Sequence, residues 1–325
     1  MMKLAIDAMS GDLGSSIVVE ACIHFINKHK DVELYVTGKK EELTKLSDFS
    51  QIHIIDAREV LTMSEGILAV RRKKESSMVK AMMLGKEGKV DGIVSCGSTG
   101  SFYTCAMLFL KRIEGVEKSC LMAILPTYND KGVALLDVGA NAENQASHLN
   151  DFAVMGSVYS TLVRGIKKPK VALLNIGTEE KKGNEVHQET YQLLKENDKI
   201  HFVGNIEGRD ILNGDVDVIV TDGFSGNIAL KSIEGTAMIL MKCIKESMMS
   251  STKGKLGALL AKDSLYALKD KFDYKSVGGA LMVGFEKAVV KAHGASDAKA
   301  FENAMELALK MVEQDVVFKM KEGLK

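Results

Sequence analysis

Short apolar runs that end in clusters of polar turn residues recur along this chain, and they limit the folds open to it. Residues 171–174 lead into the sequence NIGTEEKKGNE (175–185), and residues 216–220 lead into TDGFSGN (221–227). Such runs, bounded by turn residues and alternating with helical patterns, are typical of buried strands connected by helices. The pattern therefore predicts an α/β fold with a largely parallel sheet and helices on both faces.

Two regions depart from this alternation. Apolar runs at 120–125 and 133–137 are separated only by turn-like residues, which predicts an antiparallel hairpin. Residues 228–271 are almost continuously helical in pattern, with a break near 250–254. No repeat or low-complexity linker divides the chain, so we expect a single domain over residues 1–325, in which residues 228–285 form a projecting helical excursion.

Charge and motif content exclude several classes of function. The chain has 43 Lys and Arg and 43 Asp and Glu residues, a balance that argues against an electrostatic nucleic-acid binder. Five cysteines form no CxxC pair, and no signal peptide or apolar run of about 18 residues is found, so we expect a cytoplasmic protein that does not span a membrane. The motifs GxGxxG, GK[ST], HExxH and GxSxG are absent from the sequence, and we expect neither a metal nor an organic cofactor.

The polar residues that follow the predicted strands indicate an anion site. Because ligands bind beyond the carboxyl ends of parallel strands, we expect these loops to converge on one edge of the sheet and to form a single cleft. The loop SCGSTGS (95–101) opens a helix, and its small residues make it the best phosphate site, with Ser98, Thr99 and Gly100 as ligands. Cys96 in this loop is interpreted as a packed residue rather than as a nucleophile.

Two further loops carry groups suited to a phosphate or an oxyanion. Lys181 and Lys182 precede a glycine, and Asn227 is placed to donate a hydrogen bond to a developing negative oxygen. The loop of Lys181 and Lys182 has a plainer interpretation as a solvent-exposed turn, the loop of residues 7–14 has one as a turn capped by Ser15 or Ser16, and a lone histidine is often structural. The wider set of expected substrate-binding residues lies in the same strand-end loops and comprises Asp7, Gly11, Asp12, Asn175, Gly177, Asn184, Asn205, Asp222, Gly223 and His293.

Two basic segments are candidates for contact with a partner or a membrane. The run VRRKKESSM (70–78) contains Arg71, Arg72 and Lys73, although a charge run of this kind is often only solvated surface. In the helical excursion, leucines recur near helical spacing among lysines, a pattern that suits an anionic bilayer, an acidic carrier protein, a second subunit or simple packing on the body. The residues of the excursion expected to make that contact are Lys255, Leu256, Leu259 and Leu260.

A set of motifs connects this chain to a known family. In order, and over nearly the whole chain, they are DAMSGD, VRRKKESSMV, DVGAN, LLNIGTEEKKGNE, FVGNIEGRD, DVIVTDGFSGN and VVKAHGASD. In these motifs the chain resembles the bacterial phosphate acyltransferases of the PlsX family. The resemblance implies a Rossmann-like three-layer α/β/α sandwich, related to isopropylmalate dehydrogenases and phosphotransacetylases, in a homodimer that is peripherally associated with the inner face of the cell membrane. Where the family usually has the loop sequence GNTG, this chain has Ser98 in place of the asparagine.

The reaction implied by the resemblance is transfer of a fatty acyl group from the thioester of acyl-carrier protein to inorganic phosphate, which gives acyl phosphate for phospholipid synthesis. A thioester is already activated, so phosphate is expected to attack directly, without a covalent acyl-enzyme. We expect Lys182 to be the main cation, Lys181 its weaker alternative, and Asn227 the donor to the oxyanion. Open alternatives are a short-chain phosphotransacetylase acting on acyl-CoA, a non-catalytic acyl-carrier or membrane scaffold, and a dehydrogenase of the related fold.

Overall fold

Eleven strands form one sheet in the computed structural model, which describes residues 1–63, 65, 67–271 and 279–325. The strands are β1 (Met2–Asp7), β2 (Val32–Gly38), β3 (Ile52–Asp56), β4 (Gly92–Ser95), β5 (Cys120–Leu125), β6 (Val133–Leu136), β7 (Lys170–Asn175), β8 (His201–Glu207), β9 (Val218–Val220), β10 (Ala280–Val283) and β11 (Ala288–Lys291). The helices are α1 (Ser15–Lys28), α2 (Ile67–Arg72), α3 (Ser77–Lys86), α4 (Thr99–Phe109), α5 (Ala146–Leu162), α6 (Glu185–Glu196), α7 (Gly223–Met249), α8 (Thr252–Leu260), α9 (Lys262–Lys271), α10 (Ala298–Glu313) and α11 (Val316–Leu324).

The sheet consists of two parallel halves that run in opposite directions. Its strand order is β3-β2-β1-β4-β11-β10-β5-β6-β9-β7-β8. The strands from β3 to β11 are mutually parallel, and so are those from β6 to β8. Between the halves, β10 is antiparallel to β11 and β5, and β5 is antiparallel to β6. The carboxyl ends of β1, β4 and β11 therefore lie on one edge, here called the first rim, and those of β6, β7 and β9 lie on the opposite edge, the second rim.

This reversal corrects the expectation that all strand-end loops converge on one edge of the sheet. The predicted hairpin of residues 120–125 and 133–137 is present as β5 and β6. An odd number of antiparallel steps separates the two halves, so the loops after β6, β7 and β9 face away from those after β1 and β4. An apolar run does not encode the direction of its neighbours, because a fully buried strand has the same composition in either orientation.

Helices cover both faces of the sheet, which confirms the three-layer arrangement. Successive residues of one strand point to opposite faces. In β1, Leu4 and Ile6 belong to one buried apolar cluster, and Ala5 belongs to the other. The first cluster is covered by α1, α5, α10 and α11, and the second is covered by α3, α4 and the beginning of α7.

The helix α7 packs against the body of the protein at its beginning, and its far end is exposed. It has 27 residues, which corresponds to a length of about 40 Å. Only Gly223 and Gly226 of these residues are buried, and α8 has no buried residue. Within the predicted excursion of residues 228–285, Ala280–Val283 instead form β10 inside the sheet, and residues 272–278 lie outside the described residues. No helix among the described residues is both long and apolar enough to cross a membrane.

Candidate active site

A cleft of about 260 Å³ runs along β5, on the face that α4 and α7 cover. One wall is apolar and is formed by Leu121 and Leu125 of β5 together with Leu230 of α7. The polar side chains that line the cleft are Thr99, Asn227, Lys231, Glu234, Lys291, His293 and Ser296. The cleft thus places an apolar wall beside a cluster of hydrogen-bond donors and charged groups, the usual composition of a small-molecule site.

Residues from both rims meet in this cleft because α7 crosses the face of the sheet. The helix begins at the second rim, directly after β9. Asn227, Leu230, Lys231 and Glu234 have the spacing of one helical face and all line the cleft. Thr99 and His293 reach the same cleft from the first rim. Of the predicted site residues, the structure therefore brings Thr99, Asn227 and His293 together.

The N-terminus of α4 presents free backbone donors to the cleft. Ser98 is the N-cap residue, and its Oγ accepts a hydrogen bond from the Ser101 N–H at 3.2 Å. The hydroxyl of Ser98 therefore caps the helix, a role that differs from the phosphate contact expected for it. Within the described residues, the N–H groups of Thr99 and Gly100 donate to no protein acceptor. Thr99 lines the cleft, and free N–H groups at the positive end of a helix dipole are suited to binding an anion.

A buried carboxylate organises the loop that supports Asn227. Asp137 is fully buried; its Oδ1 accepts three backbone N–H groups at 2.9–3.1 Å. Its Oδ2 accepts the backbone and side-chain amides of Asn141 at 2.8 and 2.9 Å. Burial raises the pKa of Asp137, and these hydrogen bonds oppose that rise. The fixed loop carries Gly139, where an added Cβ would lie 3.2 Å from the Asn227 side chain.

The first turn of α7 lies directly against this loop. A Cβ at Gly226 would be 1.9 Å from the Asp137 carbonyl oxygen, and one at Gly223 would be 2.4 Å from the Asn141 carbonyl oxygen. Only glycine permits so close an approach of two backbones. Asp222 caps the helix, since its Oδ1 accepts the Ser225 N–H at 2.8 Å. The predicted residues Asp222 and Gly223 therefore hold α7 in place, which fixes Asn227 in the cleft.

The predicted cations Lys181 and Lys182 lie at the second rim, outside the residues that line the cleft. The Lys182 side chain is about half exposed, with its Nζ 3.8 Å from Glu179 Oε1. Asn175, the last residue of β7, stabilises this loop through hydrogen bonds. Its Nδ2 donates to the Lys182 carbonyl at 3.1 Å and to Asn205 Oδ1 at 3.2 Å. Burial lowers the pKa of His187 at the start of α6, and the charge of Asp222 opposes this decrease.

Other predicted residues of the second rim support the same loop. A Cβ at Gly177 would be 3.0 Å from the Lys182 side chain, so the lysine packs over that glycine. Asn184 is the N-cap of α6 and accepts the His187 N–H at 3.1 Å. Asn205 donates through Nδ2 to the Glu179 carbonyl at 2.8 Å. These contacts order the loop, and none of them places its side chains in the cleft.

The predicted first-rim residues Asp7, Gly11 and Asp12 are not among the residues that line the cleft. Asp7 is buried and its Oδ2 accepts the Ser95 hydroxyl at 2.7 Å. Gly11 packs against Cys96, where an added Cβ would be 2.5 Å from Sγ. Burial raises the pKa of the Cys96 thiol to about 12, which leaves no thiolate at neutral pH and agrees with its interpretation as a packed residue. Asp12 is exposed, and its N–H donates to the loop after β11 at 2.9 Å.

Sequence reasoning missed three charged residues of the cleft. Lys291 is the last residue of β11, and burial lowers its pKa from 10.5 to about 8. Lys231 and Glu234 form an ion pair at 2.7 Å on α7. A lysine at the end of an otherwise apolar strand was a signal for Lys291. The α7 pair carried no signal, because residues 228–271 were interpreted as an excursion away from the site.

The residues expected to contact a carrier protein or a membrane differ in exposure and in whether an ion pair holds their side chains. Arg71 and Arg72 end α2 and are exposed. Lys73 is tethered, because its Nζ forms an ion pair with Glu65 at 2.7 Å and donates to a backbone carbonyl at 2.9 Å. On α8, all four residues expected to make this contact are exposed: Lys255, Leu256, Leu259 and Leu260.

Known proteins resemble this chain over almost its whole length. The model of the family described as fatty acid synthesis protein matches residues 2–319. A phosphate acyltransferase of Exiguobacterium sp. is 47% identical over 324 residues, which cover 98% of each chain. One of Streptococcus uberis is 45% identical, covering 99% of this chain and 97% of its own. A solved phosphotransacetylase from Streptococcus pyogenes aligns with a TM-score of 0.65 and 18% identity over 96% of this chain and 94% of its own, a likeness of fold.

Proposed function

This chain belongs to the fatty acid synthesis protein family, and we propose that it is a phosphate acyltransferase whose acyl donor is the thioester of acyl-carrier protein. The product is acyl phosphate, a precursor for phospholipid synthesis. Its relatives of 45–47% identity over nearly the full length are phosphate acyltransferases. The reaction is acyl transfer to inorganic phosphate.

One observation about the cleft carries this proposal. Thr99, at the N-terminus of α4, and Asn227 line the same cavity as the apolar wall along β5. Phosphate requires the donors, and the first carbons of a fatty acyl chain require the apolar wall. A volume of about 260 Å³ falls just below the usual range for drug-sized ligands, about 300–1,000 Å³. The cleft is therefore suited to the reacting groups, while the rest of the donor extends out of it.

The chemistry needs positioning and charge stabilisation more than a strong base. A phosphate oxygen attacks the thioester carbonyl carbon, the carbonyl oxygen becomes an oxyanion, and collapse of this intermediate breaks the C–S bond. The thiolate that leaves then takes up a proton. Thr99 and Gly100 hold the phosphate at the N-terminus of α4, and Asn227 donates to the oxyanion. Lys182 lies at the second rim, outside the residues that line the cleft, so its proposed role at the oxyanion requires its loop to move toward Asn227; Lys181 is the weaker alternative.

Direct attack by phosphate is supported by the burial and the raised pKa of the Cys96 thiol. Cys96 is the cysteine of the α4 loop, and it is 1% exposed with a pKa of about 12. A covalent acyl-enzyme on this residue would require a thiolate that the site does not provide. We expect no acyl group on the protein when the reaction is stopped during turnover and analysed by mass spectrometry of the intact chain; an acylated Cys96 or serine would exclude direct attack.

The deciding experiment measures phosphate-dependent thiol release and acyl phosphate formation from palmitoyl-acyl-carrier protein and, separately, from acetyl-CoA. We expect turnover with the carrier-protein substrate and little with acetyl-CoA. The opposite preference would identify a short-chain phosphotransacetylase. Binding without turnover of either donor would identify a non-catalytic scaffold.

Two variants test the assigned roles. Asn227→Ala and Lys182→Ala should each lower kcat by about 10²–10³-fold if their side chains stabilise the oxyanion. Lys181→Ala, in the same loop as Lys182, serves as the matched comparison and should lose less. Near-normal turnover of either main variant removes that residue from the mechanism.

We further propose a cytoplasmic homodimer that binds the inner face of the cell membrane through the exposed helices. Leu259 and Leu260 of α8 are 68% and 81% exposed. Lys255 lies on the same helix, so the segment combines apolar and basic groups that suit an anionic bilayer surface. Flotation with anionic liposomes tests this assignment: the wild type should float and Leu259→Glu should not. Equal flotation of both proteins would reject membrane contact through α8.

A further inference from the structure

The cleft contains a lysine that has no carboxylate partner among the described residues. Lys291 lies at the first rim and lines the cleft, next to Ser95 in the register of β11 and β4. Its Nζ donates to the Ala292 carbonyl oxygen at 2.9 Å. In the part of the chain that the structure describes, no ion pair with this ammonium group is found, although most lysines in partly buried positions have one.

The surroundings of Lys291 disfavour its charge unless an anion is present. From α7, Lys231 repels it, and the carboxylate of Glu234 is already paired with Lys231 at 2.7 Å. Cys96 and Asp12 act in the opposite direction from the loops after β4 and β1, but neither lies in an ion pair with it. The remaining titratable neighbour on its own loop is His293, which lines the same cleft.

We propose that Lys291 binds the phosphate nucleophile directly, together with the free N–H groups of Thr99 and Gly100. Lys291 and Thr99 line one cavity; Lys291 ends β11 and Thr99 follows β4, and these two strands are adjacent and parallel, so both residues lie at the first rim. This inference rests on the proposed function and deepens it, because it places the principal phosphate cation within the cleft rather than in the loop of Lys182.

A bound phosphate would stabilise the charged form of Lys291. A bound dianion compensates for the lost hydration of the ammonium group and for the repulsion by Lys231. A charge-assisted hydrogen bond to phosphate oxygen is roughly twice as strong as a neutral one. Because burial lowers the pKa of Lys291 to about 8, the fraction of enzyme able to bind phosphate in this way falls as the pH rises through that value.

The test compares the wild type with Lys291→Met and Lys291→Arg, using acyl-carrier-protein thioester as donor. Lys291→Met should raise the KM for phosphate by about 10- to 100-fold, with little change in the KM for the donor. In the wild type, kcat/KM for phosphate should decline above about pH 8, since this ratio reports the free enzyme. Lys291→Arg should restore part of the phosphate affinity and move the decline to higher pH, because arginine keeps its charge.

Lys287→Met is the matched control, since Lys287 lies just before the opposite end of β11 and is also partly buried. It should leave the KM for phosphate unchanged. Phosphate binding measured by calorimetry without any donor separates this inference from the proposed function. If the wild type binds phosphate through Lys291 but makes no acyl phosphate, the proposed function fails and the assignment of Lys291 stands. If Lys291→Met binds phosphate as the wild type does and keeps its decline above pH 8, the inference is wrong.

Discussion

Replacing Lys291 by methionine should stabilise the protein in the absence of phosphate. The folded state lowers the pKa of this lysine from 10.5 to about 8. Below pH 8 the lysine is charged in both the folded and the unfolded chain, and the folded chain bears the cost of holding that charge in a poorly hydrated position. Methionine has a similar unbranched shape and no charge, so it removes this cost while filling the same space.

The size of the effect follows from two opposing contributions. A fall in pKa from 10.5 to about 8 corresponds to about 3 kcal/mol of unfavourable free energy, and partial exposure reduces this figure. The variant also loses the hydrogen bond from Nζ to the Ala292 carbonyl, which contributes about 1 kcal/mol. We therefore expect Lys291→Met to raise the free energy of unfolding at pH 7 by about 1–2 kcal/mol.

The dependence on pH has a definite sign. Between about pH 8 and 10.5 the unfolded chain binds more protons at this residue than the folded chain does, so the stability contributed by Lys291 rises with pH. The advantage of the methionine variant is therefore complete below pH 8 and shrinks as the pH approaches 10.5. Urea unfolding in phosphate-free buffer at pH 7 and pH 10 measures both values.

Added phosphate should narrow the difference in stability, and should reverse it if the variant binds phosphate about 100-fold more weakly. The wild type gains about 2.7 kcal/mol at a phosphate concentration 100 times its Kd, and the variant gains less because it binds less tightly. Lys287→Met again serves as the control and should show neither effect. A methionine variant that is no more stable than the wild type at pH 7, or that keeps its full advantage at pH 10, would refute the electrostatic reasoning.

Three further predictions follow from the packing around the cleft. Asp137→Asn should lower the free energy of unfolding, measured with urea, by about 2–4 kcal/mol. The reason is that the new amide NH₂ faces backbone N–H groups whose hydrogen bonds the carboxylate accepts. An unchanged urea midpoint would contradict this. Gly226→Ala should unfold or strongly destabilise the protein in a thermal melt. Gly235→Ala, on the same helix with open space at Cβ, should instead stabilise it by about 0.5–1 kcal/mol. Similar melting of the two variants would be inconsistent with the backbone contact at Gly226. In the native protein at pH 7, a thiol reagent should modify the exposed Cys243 quickly and the buried Cys96 only after unfolding; rapid modification of two thiols would show that the cleft opens.

Local patterns in the sequence predict the parts of the site that depend on short-range contacts. The start of α4 is an example, since the loop of residues 95–101 is expected to open a helix and the helix begins there, at Thr99. The hairpin of β5 and β6 follows from two apolar runs joined by a short turn, and the three layers follow from alternating strands and helices. In each case the controlling interaction lies within a few residues of the pattern that predicts it.

The parts that could not be predicted depend on contacts between distant segments. Whether the loops of β4 and β9 share one edge depends on β10, which enters the sheet more than 50 residues after α7 begins and pairs with both β5 and β11. The hydrophobic pattern of a buried strand contains no information about these partners. Lys291 escaped prediction for a related reason, because its desolvation results from packing against loops and helices remote in sequence.

A site built from two oppositely directed half-sheets needs an element that carries residues from one rim toward the other, and α7 does so here. Its first turn is fixed by backbone contacts at Gly223 and Gly226, which leave almost no freedom of position. Its far end has no buried residue, so substitutions there are free to change surface contacts without moving Asn227. The next helix, α8, also has no buried residue, so Leu259→Glu should abolish binding to liposomes while leaving turnover of a water-soluble donor intact. Loss of both would mean that the exposed helices and the cleft are mechanically coupled, and that the fixed first turn does not isolate the site.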